Sequence, residues 1–91
     1  MFFKKKPVII EAIQWDGKIK TLQQLSAMGM ETSQYAAGGA FVEIASLHIK
    51  TLEGEHLVQV GDWIIRGVQG EFYSCRLDIF ELTYEPYTIA E

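Results

Sequence analysis

GDWIIRGVQGEFYSC, residues 61–75, decides the fold, because two short β-prone runs flank a connection bounded by glycines. WIIR (63–66) and EFYSC (71–75) are rich in β-branched and aromatic residues, and Gly67-Val68-Gln69-Gly70 between them predicts a hairpin. The two-residue period of a strand puts Trp63 and Ile65 on one face and Ile64 and Arg66 on the other. Glu71, Tyr73 and Cys75 likewise lie opposite Phe72 and Ser74. This reading gives Trp63 and Ile65 to the core and sends Arg66 to a polar or interface face. Asp62 beside Gly61 reads as turn chemistry.

Upstream, VIIEAIQW (8–15) follows Pro7 and closes at Asp16-Gly17, which reads as a strand, central because both of its faces carry apolar side chains. KIKTLQQLSAMG spaces Ile19, Leu22, Leu25 and Met28 at helical intervals, with Thr21 as N-cap and Gly29 as stop. METSQYAAGG (30–39) has little periodicity and reads as a loop, and AFVEIA (40–45) as a strand. LHIKTL (47–52) and EHLVQV (55–60) form a second hairpin whose tip is Glu53-Gly54. Two registers are open there. A two-residue loop pairs Thr51 with His56 and puts His48 and His56 on opposite faces, whereas a bulged turn pairs Lys50 with His56 and makes the histidines same-face neighbours. Glutamate suits the first position of a primed turn poorly, which favours the bulged register. RLDIFELTYE (76–85) spaces Leu77, Phe80, Leu82 and Tyr84 for a short helix or helical turn ended by Pro86. The expected architecture is α+β: a mainly antiparallel sheet of five or six strands, one amphipathic helix and a short C-terminal helix.

Ninety-one residues fit one domain, residues 1–91, and bury only about 60 to 65% of the extended chain's surface, so packing or oligomerisation has to help. No apolar window reaches a bilayer span, and Glu11, Gln14 and Asp16 interrupt the run after MFFKKKPVII, which argues against a signal peptide. One cysteine permits no internal disulfide and suits a cytosolic setting. Residues 1–20 hold five lysines against two acids, and residues 71–91 hold five acids against Arg76. With a net charge of −4 this balance opposes non-specific duplex DNA binding.

Catalytic and cofactor signatures do not emerge from the sequence. The histidines and Cys75 lack zinc spacings, Ser74 lacks a nucleophile-elbow context, and Gly67 to Gly70 lacks the helix and Lys-Ser/Thr pair of a phosphate loop. No metal or cofactor is expected. A binding vocabulary remains, in which planar rings stack on a base and cations hold phosphate.

KKKPVIIEAIQWDG and GDWIIRGVQGEFYSCRLDIFELTYE resemble blocks that open and close the chains of a family of small, mostly uncharacterised proteins of tailed bacteriophages and prophages. The resemblance covers roughly residues 4–17 and 49–85, with Val60, Ser74 and Leu77 standing where that family commonly has proline. It implies a viral protein acting in the host bacterial cytoplasm. By analogy with small viral proteins that sequester nucleotide immune signals, the expected function is non-enzymatic. The chain would hold a cyclic ADP-ribose-type or cyclic dinucleotide ligand in a pocket between subunits of a homo-oligomer. The candidate ligand-binding residues are Trp15 or Tyr73 for stacking, Arg66 and Arg76 for phosphate, and Gln14 or Glu71 for base and ribose edges. Two alternatives stand beside it: a module that docks on a host protein through a sheet edge or the acidic LDIFELTYEPYTIAE segment, and an enzyme that cleaves the signal.

Overall fold

The Gly61–Cys75 hairpin lies at the centre of the computed structural model, which describes residues 1–4, 6–32, 47–51 and 54–88. Its elements in chain order are β1 (Glu11–Gln14), α1 (Ile19–Ala27), β2 (Leu47–Thr51), β3 (Gly54–Val58), β4 (Trp63–Arg66), β5 (Phe72–Cys75) and α2 (Leu77–Thr83). The fold is α+β with antiparallel pairing throughout, as the sequence leads one to expect. The described strands divide between two sheets, one ordered β1-β4-β5 and one formed by β2 and β3. The strand expected at 40–45, and most of the loop expected at 30–39, lie outside the described residues.

In the larger sheet β4, not β1, is the middle strand. Its ladder pairs Arg66 with Glu11 on one side and with Phe72 on the other, and the chain turns away at Gly67. No described residue therefore stands opposite Val8 or Ile9, and both are exposed, which limits the expected strand 8–15 to its second half. Beyond Gln14, Trp15 prolongs the pairing by donating to the Asp62 carbonyl and accepting from Gly61 N–H, each at 2.8 Å.

Register decides what each face carries. Ile64 stands between Ile13 and Ser74, and Ile65 between Ala12 and Tyr73. The Ile64 face meets Leu22 and Leu25 of α1 and Leu47, Ile49 and Val58 of the β2–β3 hairpin, with Trp15 at 1% exposure among them. On the other face Ile65 is equally buried, and Phe80 of α2 stacks on Trp63 with centroids 4.3 Å apart. Both isoleucines are thus core, and Trp63 is half-buried as the platform for α2.

Thr21 does not cap α1. The helix begins two residues earlier, at Ile19, and Thr21 is buried within its first turn. No side chain caps the helix; Asp16, two residues before the Lys18 N-cap, orders the entry instead, its Oδ1 accepting from Lys18 N–H at 3.0 Å and its carboxylate accepting the Thr21 hydroxyl. Its desolvation alone would raise the carboxyl's pKa, but these hydrogen bonds prevail and hold it below the usual 3.8. At the other end Gly29 N–H reaches the Ser26 carbonyl and Met30 N–H the Leu25 carbonyl, the paired bonds of a Schellman stop, with Gly29 at φ 107°.

The β2–β3 register is neither of the two weighed above. Ile49 pairs with His56, Lys50 with Glu55, and Thr51 with Gly54. Burial excludes the bulged register, which would turn Val58 away from Leu47 and Ile49; the observed pairing is shifted by two residues from the two-residue-loop register and keeps its face assignment, with Leu47, Ile49 and Val58 on the core side. His48 pairs with Leu57 and so faces away from His56, which rules out the same-face histidine pair.

Candidate functional site

Among the described residues, the hairpin loop borders the site in which several polar residues meet aromatic ones. Gly70 N–H donates to the Gly67 carbonyl at 3.0 Å and Gly67 N–H to the Glu71 carbonyl at 2.7 Å. Gly70 sits at φ 84°, a left-handed position that glycine adopts without penalty. The loop turns the Glu71 side chain back, so that its Oε2 accepts Gln69 N–H at 3.0 Å. A Cβ on Gly67 would collide with the Glu71 carboxylate and stand 3.2 Å from the Tyr73 ring, so a side chain here has to push the Glu71 carboxylate out of its present place.

Beside this loop a cleft of about 730 Å³ opens between β5 and the β2–β3 hairpin. From β5 and its lead-in come Glu71, Phe72, Tyr73 and Ser74; from the hairpin come Lys50, Thr51 and His56. Strand pleating accounts for the mixture. Phe72 leans into the core on the same side as Ile64, while Tyr73 stands on the Ile65 side. Partial burial and a hydrogen bond to Tyr84 push the Tyr73 phenol up to about 12, and the Glu71 and Cys75 charges act in the same sense. At neutral pH Tyr73 is therefore a neutral donor and not a base.

Of the six residues singled out from the sequence, the cleft brings together Glu71 and Tyr73. Trp15 is buried in the core and has no face to offer a base. Gln14 donates its side-chain amide to the Gly61 carbonyl at 3.1 Å. Arg66 pairs with Glu11 across the strand at 3.5 Å, and Arg76 with Asp78 at 3.3 Å; neither lines the cleft. Lys50, Thr51 and His56 escaped the sequence reading because the β2–β3 register was the undecided quantity, whereas Phe72 and Ser74 come with β5, the strand that carries Tyr73.

Other groups are poorly set for chemistry. Burial, reinforced by Asp62 and Asp78, raises the Cys75 thiol above its usual 9.0, so little thiolate forms at neutral pH. Among the described residues no group of three His, Cys, Asp or Glu side chains could hold a metal ion. A second groove, of about 460 Å³, runs between β1 and α1 past Ile13, Ala27 and Met28, and its lining carries no cation. No helix among the described residues is long and apolar enough to cross a membrane. Fold and cleft together define a small α+β domain with a cleft of mixed polar and aromatic lining. No protein-family model, curated protein or solved structure matches the chain.

Proposed function

We propose that the chain is a non-enzymatic binding protein that sequesters a bacterial nucleotide signal, cyclic ADP-ribose-type or cyclic dinucleotide, in the cleft between β5 and the β2–β3 hairpin. The observation that carries this reading is the meeting of His56 and Thr51 with Phe72 and Tyr73 along a single cleft, with Lys50 at its margin on the other face of the hairpin. A nucleotide offers a flat base that stacks on a ring and phosphates that take donors from an ammonium and an imidazole. The hydroxyls of Thr51 and Ser74 suit a ribose edge, and Glu71 accepts from a base amine or a ribose hydroxyl. The volume falls within the roughly 300 to 1,000 Å³ of small-molecule sites. His56, with Lys50 at the margin of the cleft, takes the phosphate role that the sequence reading gave to Arg66 and Arg76. The resemblance to phage proteins supplies the setting, a viral protein meeting the signal in the host cytoplasm.

Titration calorimetry against a panel of cyclic dinucleotides and ADP-ribose derivatives tests this. Heat is expected with at least one member, and Lys50→Ala and His56→Ala, both at exposed positions, should each weaken it roughly tenfold or more. Ligand recovered after denaturing the complex should be chemically unaltered by chromatography, since cleavage would make the chain an enzyme. Silence across the whole panel from folded protein refutes the reading.

A further inference from the structure

Two complementary surfaces are left uncovered by the single chain. Ahead of β1, Phe2 and Phe3 are 102% and 88% exposed, with Lys4 and Lys6 exposed behind them. On α2, Phe80 turns toward the sheet through its stack on Trp63, so other sides of the helix face outward. There Ile79 is 48% and Leu82 85% exposed, and the exposed Glu81 and Glu85 lie beside them. Single exposed apolar side chains are ordinary, but neighbouring ones on one segment, as Phe2 with Phe3 and Ile79 with Leu82, offer apolar area that a partner surface can cover.

The two segments leave opposite ends of the sheet. Residues 1–10 lead into Glu11, whose partner is Arg66, whereas α2 follows Cys75, whose partner is Trp63 at the other end of β4. We infer that residues 1–10 of one copy lie on α2 of a second copy, Phe2 and Phe3 covering Ile79 and Leu82, and Lys4 and Lys6 facing Glu81 and Glu85. Charge selects the occupant, because the acidic and apolar helix asks for a basic and apolar segment and the chain itself carries one. Reciprocal exchange repeats the contact on both sides of a two-fold axis and closes the assembly as a dimer. This self-association stands whether or not the cleft holds a ligand.

Sedimentation of the full chain tests it, with circular dichroism as the check on folding. The native protein should be dimeric at roughly 100 μM and dissociate more readily as salt rises. K4E/K6E makes both surfaces acidic and E81K/E85K makes both basic, so each variant alone should dimerise at least tenfold more weakly. Mixed in equal amounts, they should regain a dimer, because each acidic surface now meets a basic one across both contacts. A monomeric native protein at that concentration overturns the inference. So does a dimer unaffected by either charge swap, or a mixture that stays monomeric.

Discussion

Tyr73 links the cleft to the opposite layer of the molecule. Its residue lines the cleft, and its hydroxyl is bonded to Tyr84, whose ring stacks on Phe80 at 5.0 Å. Because burial and that bond raise the phenol from 10.0 to about 12, the folded state keeps a proton that the unfolded chain releases. The associated stability is complete below pH 10 and falls away as pH climbs through about 12. Urea denaturation across this window should show native stability declining, with a shallower decline for Tyr73→Phe. Equal slopes in the two proteins would deny the Tyr73–Tyr84 pair this role. Arg66 illustrates the opposite case: it shares the Ile64 face, which is covered by α1 and the β2–β3 hairpin and is not the polar face expected, and at its edge it pairs with Glu11 in an exposed ion pair of a kind that adds little stability.

At the level of elements, the β4–β5 hairpin joins fold and site through a single loop. Gly67 leaves room for the Glu71 carboxylate, which in turn accepts Gln69 N–H, so loop conformation and cleft lining depend on the same few atoms. Gly67→Ala should cost about 1 to 3 kcal/mol in chemical denaturation, the range for forcing an added carbon into an occupied space. It should also weaken any ligand held by Glu71, and a variant as stable as the native protein would show that Glu71 swings aside freely. The hairpin and α2 were legible from the sequence because strand alternation, paired glycines and the stop at Pro86 are local signals. The start of α1 was misread for a physical reason as well. The carboxylate that accepts from Lys18 N–H and Thr21 stands two residues before the N-cap, so the nearest threonine to the apolar stripe was the wrong choice.

For the molecule as a whole, stability rests on a small core in which α1 and the β2–β3 hairpin cover one face of the sheet and α2 the other. Leu25 has no exposed surface and lies in that core, so Leu25→Ala should lose about 2 to 5 kcal/mol by denaturant titration. Against a total of about 5 to 15 kcal/mol for a domain, that would leave the protein near unfolding at body temperature. A loss below about 1 kcal/mol would mean that the core collapses around the gap.

By itself the sequence determined the α+β class, the antiparallel hairpins, the two helices and the lack of a catalytic signature, since each follows from periodicity and turn chemistry within a few residues. Only the tertiary structure decided which strand is central, how the β2–β3 hairpin is registered, and which side chains meet in the cleft. A one-residue slip turns every side chain of a strand to the other face, and local signals at 47–58 allowed more than one slip. Burial of Leu47, Ile49 and Val58 against Ile64 and Leu25, a requirement set by residues distant in the chain, excludes the bulged register and puts Thr51 and His56, not Lys50, on the core side of the hairpin.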